Sequence, residues 1–539
     1  MPRTVTLTGS SLTLDDVVAV AREWARVAID DDAAMRADRS REAVEKLVRA
    51  GEPVYGVNTG FGKLANVRIP DHQLVELQRN LIRSHVAGVG DPLPADVVRA
   101  TMLLRANVVL RETSGVRSTV ARRLADLLNA RIHPVVPEQG SVGASGDLAP
   151  LAHIAQVLMG EGEVEVAGSG KRERGTGGSP NHGREPGVQS GSGKRERVKV
   201  PESGEAETGR VAAADALREA GIGPLELQAK EGLALINGTQ AQTALLALLV
   251  HDSRNLWRTA HGAAAMSLEA LMGTPAPFDE RIHEARPHEG QKRSAALMRD
   301  LLADSEIRES HRTGDPRVQD AYSLRCTPQI IGPVGDTIEF AAGVLSVELN
   351  ASTDNPLVFG NEVLSGGNFH GQSVAMALDY LTIALTTLAG LAERRLDRLM
   401  NPQLSEGLPP FLAEPAGLRS GLMMIQVTAA ALVAEARTLA TPASVQSIPT
   451  EADQEDVVPM GMAAAHKARR VLANAQRVVA CELIAGAQGL EHRKPLRPAR
   501  EVEALRRRVR EIVPIFDEDR PISEDIERLT EAIAKEAWV

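Results

Sequence analysis

Between Gly140 and His153 the chain reads GSVGASGDLAPLAH. Three residues with minimal side chains, Ala144, Ser145 and Gly146, stand among further glycines and an aspartate, directly ahead of an apolar stretch of helical character. A serine nucleophile on a sharp elbow needs G-x-S-x-G, and the residue two after Ser145 is Asp147, so that chemistry drops out. Two readings stay open on these residues alone. Gly143 and Gly146 supply unusual φ values in a turn, with Asp147 capping a helix that starts at Leu148. Alternatively the backbone itself reacts, because glycine removes both the steric bar and the φ restriction that protect ordinary peptide bonds.

The chain has three tyrosines, and two of them lie in polar, turn-rich contexts: Tyr55 in VYGVNTGFGK and Tyr322 in VQDAYSLRCTP. A phenol in a glycine-flanked loop is suited to donating or accepting a proton, although a surface anchor uses the same residue type. Arg325, three residues beyond Tyr322, can offer a guanidinium fork to a carboxylate. Further polar groups interrupt apolar segments: Ser84 and His85 in NLIRSHVAGVG, Asn237 and Gln240 in LALINGTQ, Asn368 and His370 in SGGNFHGQ, and Gln454, Glu455 and Asp456 in ADQEDVV. His283 and His288 have no third ligand at recognisable spacing and there is no HExxH, so no metal site is expected.

These groups need elements to position them. The 539 residues are 43% hydrophobic and 24% charged, the pattern of a globular chain with room for more than one core. Aromatic residues make up only 2%, so the core must be built from Ala, Leu, Val and Ile, which favours closely packed helices. A net charge of −10 argues against a nucleic-acid binder and for a small ligand. MPRTVTLTGS has no apolar signal core, the apolar stretch near Leu381–Ala392 falls short of a membrane span, and two cysteines cannot make a disulfide framework. A cytoplasmic location is expected.

Thr13 with Asp16 three residues on reads as a helix start, and Asp71–Val86, Asp96–Arg111 and Ser118–Asn129 read as helices. Strand signals are sparse. Gly335–Leu349, His370–Met400, Gly417–Leu439 and Met460–Leu490 read as long helices closed by NP, TP or RKP breakers, and so as a bundle. From about 162 to 209 the chain is low in complexity, with GSGKRER at Gly168–Arg174 and again at Gly191–Arg197, and is expected to be a flexible surface insertion.

Taken together, ASGDLAPLAH, YGVNTGFG, NLIRSHVAGVG, LALINGTQ, RPHEGQ, VQDAYSLRCTPQ, TDNPLVF, SGGNFHG and QED resemble the aromatic amino acid ammonia-lyase family, and within it the histidine-specific members. The resemblance implies an all-α chain, a long-helix bundle of the aspartase/fumarase-like type. An N-terminal domain (1–235) would carry the Ala-Ser-Gly loop and a C-terminal domain (236–539) the bundle. It implies that the amide nitrogen of Gly146 attacks the carbonyl of Ala144 and Ser145 dehydrates. The product is 4-methylideneimidazol-5-one (MIO), with no metal or diffusible cofactor. L-Histidine would lose ammonia to give trans-urocanate, the first step of histidine degradation.

By the same resemblance Tyr55 matches the candidate base and Tyr322 the second essential tyrosine. Arg325 corresponds to the carboxylate clamp, Asn237 and Gln319 to polar groups around the prosthetic group and substrate, and Phe369 to a pocket-lining aromatic. Glu455 matches the acidic residue of histidine-specific members. Ser84 and His85 form a polar pair suited to hydrogen-bonding an imidazole. Members are homotetramers with active sites shared between subunits. The chain departs from the pattern in its insertion and at Val457, where many histidine-specific relatives have a histidine. A tyrosine or phenylalanine ammonia-lyase, an aminomutase, and an inactive helical scaffold stay as alternatives.

Overall fold

The computed structural model describes residues 3–51, 53–167 and 208–539. Helices dominate, and the strands among the described residues are three to five residues long. The chain opens on a parallel pair, Thr4–Leu7 with Arg26–Ile29, joined by the helix Leu14–Ala21. That helix starts as expected: the Thr13 hydroxyl accepts from the Asp16 N–H while the Thr13 N–H donates to the Asp16 carboxylate, satisfying two otherwise orphaned donors. Helices Leu74–His85, Ala95–Val109, Ser118–Asn129 and Leu148–Leu158 follow.

The second half is built on Gln240–Ala270, Thr327–Glu348, Gln372–Met400, Met423–Leu439 and Gly461–Glu491. Gln372–Met400 packs along Gly461–Glu491, and Gln240–Ala270 packs on both. Thr327–Glu348 begins eight residues before the expected Gly335. Pro328 in its first turn needs no donor there, and Pro333 removes a single ladder bond from a helix held by the buried Ile331, Val334 and Ile338. One contiguous apolar cluster reaches from Val5 to Trp538, on both sides of position 235.

Two expectations are corrected. Thr327–Glu348 and Gln372–Met400 are long and apolar enough, by length and composition alone, to cross a membrane. In this fold both pack within the helical bundle, each with part of its surface uncovered, and the second carries a fully buried ion pair. Arg395 Nε and Nη2 lie 2.5 and 2.8 Å from the two carboxylate oxygens of Glu482, and Ser267 Oγ donates to Glu482 at 2.7 Å. The cluster pins three long helices in register. The second correction concerns the insertion, whose expected limits reach too far: Glu163–Ala167 and Thr208–Ala212 are strands paired antiparallel, with Ile132–Pro134 completing a three-stranded sheet. Val164 and Val211 give this hairpin an apolar pair that low complexity elsewhere in the segment masks. The GSGKRER copies lie at 168–207, outside the described residues.

Ala167 is paired directly with Thr208, so a tight turn suffices to join them. Replacing residues 168–207 with a two- to four-residue Gly-Asn turn is expected to leave the urea midpoint and turnover within error of the parent. Loss of either contradicts this. Glu482→Ala strands a buried guanidinium and is expected to cost about 3–5 kcal/mol in urea unfolding, whereas Arg395→Met with Glu482→Leu should fall close to the parent.

Candidate active site

The loop Gly140–Asp147 leads from the strand Pro137–Gln139 into the helix Leu148–Leu158. Ala144 and Gly146 are buried and Ser145 is half-buried. The tripeptide lies alongside the kink at Asn237–Gly238, between the helices Glu231–Ile236 and Gln240–Ala270. The Ser145 carbonyl oxygen accepts from Asn237 Nδ2 at 2.8 Å and from the Gly238 N–H at 3.3 Å, while the Asp147 N–H donates to the Gly238 carbonyl at 2.7 Å. Gly146 has φ +78°, and a Cβ there would stand 2.1 Å from the Gly238 oxygen. Only glycine lets the two backbones approach this closely.

Asp147 does not cap its own helix. Its buried carboxylate instead accepts from Ser141 Oγ at 3.0 Å, from the Gln242 N–H at 2.9 Å and from Gln242 Nε2 at 3.3 Å. The long helix beginning at Gln240 captures it, an interaction no local pattern announces. Burial raises its pKa to about 6 in spite of these donors. The loop is held from the other side as well, since Gly371 N–H donates to the Gly143 carbonyl and Met460 N–H to that of Val142.

Ser145 Oγ donates to the Glu455 carboxylate, which also accepts from Thr450 Oγ1 at 2.6 Å. Thr450 and Glu455 face each other across an antiparallel bridge, and the turn between them places Glu451, Ala452 and Asp453 at φ +53°, +52° and +62°. Three consecutive non-glycine residues in the left-handed region are a local strain, of the kind that collects at functional sites. The turn brings a second carboxylate, Glu451, against Gly62, where a Cβ would lie 1.7 Å from Glu451 Oε1. Gly62 N–H in turn donates to the Tyr55 hydroxyl at 3.4 Å. Burial pushes the Tyr55 phenol above its usual value and the two carboxylates add to the effect; burial and Glu455 raise Glu451 likewise.

His85, at the end of Leu74–His85, has Nδ1 2.8 Å from the Leu81 carbonyl. That contact fixes the proton on Nδ1 and leaves Nε2 as an acceptor. Burial lowers the pKa of the ring, with Glu455 opposing. The Ser84 hydroxyl donates to the Leu81 carbonyl at 2.9 Å and lies 3.0 Å from His85 Nδ1, so the expected pair is joined at the end of its own helix.

Asn237 and Glu455 therefore bond the tripeptide directly, and Tyr55 and His85 both lie in the field of Glu455. Phe369 is half-buried, and its neighbours tie it to the same place: His370 Nε2 is 3.1 Å from the Val457 carbonyl, and Gly371 bonds Gly143. The segment of Gln319, Tyr322 and Arg325 is not joined to the loop by any hydrogen bond among the described residues. Gln319 is exposed, Tyr322 is 68% exposed, and the Arg325 guanidinium sits 4.8 Å from the Tyr322 ring centre. Sequence reasoning missed Glu451 and Gly238. Glu451 is four residues from Glu455 in the same segment, and Gly238 directly follows Asn237.

Residues 12–511 match the family model described as aromatic amino acid lyase. The histidine ammonia-lyase of Koribacter versatilis is 48% identical over 96% of this chain and 95% of its own length. The crystal structure of histidine ammonia-lyase from Trypanosoma cruzi superposes with a TM-score of 0.85 at 40% identity, covering 99% of this chain and 93% of that one. The tyrosine aminomutase of Streptomyces globisporus superposes at 0.87 with 39% identity, covering 99% and 97%. A match of this extent, on a chain whose Ala-Ser-Gly loop is held as described, places it: the chain belongs to the aromatic amino acid lyase family.

Proposed function

We propose that this chain is a carbon–nitrogen lyase that eliminates ammonia from L-histidine to give trans-urocanate, using MIO formed from Ala144, Ser145 and Gly146. The observation that carries the reading is the tripeptide clamped through the Ser145 carbonyl, with Gly146 pressed on Gly238 where no side chain fits. The residues present suit such a group: the nucleophilic nitrogen belongs to the one residue without a Cβ, and the Ser145 hydroxyl that must leave is already hydrogen-bonded to the Glu455 carboxylate. Once formed, the group supplies an electrophilic alkene for the substrate amine.

The chain's own residues do the rest. His85 Nε2 accepts the imidazole N–H, and a phenyl ring in its place would leave that acceptor unpaired at a cost of about 1–3 kcal/mol. Tyr55 takes the β-proton. Its phenol is held protonated by burial and by Glu451 and Glu455, and a substrate ammonium entering beside them offsets that negative field and draws the phenol toward ionisation. Arg325 holds the substrate carboxylate. Tyr322 and Arg325 act on the site of a neighbouring subunit in a homotetramer. The exposure of Tyr322 supports this, as do Phe340, Val347, Met376 and Tyr380, apolar side chains left uncovered on two long helices. A cytoplasmic enzyme of histidine degradation fits this reading.

In the purified protein the peptide spanning Ala144–Gly146 is expected to be two waters lighter than its encoded mass, with histidine converted to a conjugated product. Ser145→Ala should lose both. An active preparation with an unmodified triad, or a wild type that turns over tyrosine or phenylalanine in preference to histidine, contradicts the proposal. Mixing inactive Tyr55→Phe and Tyr322→Phe proteins under demonstrated subunit exchange should restore part of the activity; no recovery would contradict the shared site.

A further inference from the structure

Arg105 lies within Ala95–Val109 with no exposed surface. Among the described residues no carboxylate forms an ion pair with it: Asp354 is paired with Lys230, and Asp147 is taken up by Ser141 and Gln242. Its donors go to backbone and amide oxygens. Nη1 reaches the Ala234 carbonyl at 2.7 Å, and Nη2 reaches the Asn237 carbonyl at 3.0 Å and Gln240 Oε1. Burial lowers its pKa to about 10, which leaves it cationic at neutral pH. A buried guanidinium with no carboxylate in direct contact is expensive, even with Asp354 and Asp147 in its field, and an apolar side chain would fill the same space in a helix core.

The Asn237 carbonyl and the Gly238 N–H are the two ends of one peptide group. Arg105 donates to the first end, and the second donates to the Ser145 carbonyl oxygen. A cation on the carbonyl side polarises the unit and strengthens its N–H as a donor. The same residue ties down the carbonyl of Ala234 and the side chain of Gln240, on either side of the kink, so the geometry of the clamp also depends on it.

We infer that Arg105 is a positioning residue for the self-modification of the tripeptide: it polarises and holds the Asn237–Gly238 peptide so that Gly238 N–H and Asn237 Nδ2 together draw charge onto the Ser145 carbonyl oxygen as Ser145 dehydrates. In that step the Ser145 Cα–H bond breaks, its proton passes to the Glu455 carboxylate, and its electron pair forms the Cα=Cβ bond. The Cβ–Oγ bond breaks, and Oγ leaves as water with its own proton and the one Glu455 has just accepted. One water is released and no co-reactant is required. The negative charge that gathers in passing is carried on the Ser145 carbonyl oxygen, where the two donors converge. This inference rests on the reading that the triad dehydrates.

The test follows the mass of the Ala144–Gly146 peptide at intervals after synthesis of the full chain. Parent, Arg105→Lys, Arg105→Met and Arg99→Lys proteins are compared, each with its urea midpoint. Arg99 is the control: it is buried in the same helix and donates to the carbonyls of Val20 and Leu128, away from the loop. Arg105→Lys keeps the charge but not the fork, and should slow the loss of two waters at least tenfold while remaining folded. Arg105→Met should slow it further, and if it does not fold Arg105→Lys decides the matter. Arg99→Lys should mature at the parent rate even where its midpoint falls as far. Maturation of Arg105→Lys at the parent rate, or equal slowing in Arg99→Lys, overturns the inference. A parent protein that never loses two waters instead overturns the reading beneath it.

Discussion

The close approach of Gly146 to Gly238 is the constraint on which the site depends. Two backbones meet with no side chain between them, and that contact sets the direction of the Ser145 carbonyl, the N–H of Asp147 and the entry into Leu148–Leu158. A peptide bond is a poor nucleophile and a poor electrophile because of its resonance, so reactivity has to come from enforced geometry and from donors at the carbonyl oxygens. Here both are supplied from one short kink between two helices, Glu231–Ile236 and Gln240–Ala270.

The kink holds its shape because the helices around it cannot slide. Gln240–Ala270 is fixed along its length by Gln372–Met400 and Gly461–Glu491, with Arg395, Glu482 and Ser267 setting the register far from the loop. At the near end Asp147 bonds the first turn of the same helix, and Arg105 reaches in from Ala95–Val109. An aromatic-poor core of Ala, Leu and Val lets such helices pack closely enough for a backbone-to-backbone contact to be held without slack. The strained turn at Glu451–Asp453 then presents two carboxylates, Glu455 at the Ser145 hydroxyl and Glu451 toward Tyr55.

Local patterns carried much of this in the sequence. Ser118–Asn129 lies where it is expected, the Thr13–Asp16 capping box forms, and the triad is legible because three small residues in a row before a helix are a chemical statement in themselves. What failed to show was whatever depends on distant partners. Asp147 reads as a helix cap because Gln242, which binds its carboxylate, is 95 residues away. The helix expected from Gly335 starts at Thr327, since the tertiary packing that carries it through Pro328 and Pro333 is invisible to a local rule. Arg105 is one arginine among many until its burial is known.

If the Gly146–Gly238 contact governs the chemistry, the decisive measurement is the mass of the triad peptide in a folded Gly146→Ala variant. An added methyl must push the two strands apart, so the peptide should keep its full encoded mass while circular dichroism stays that of the parent. A folded Gly146→Ala protein whose triad is two waters lighter would contradict the dependence of the modification on that contact.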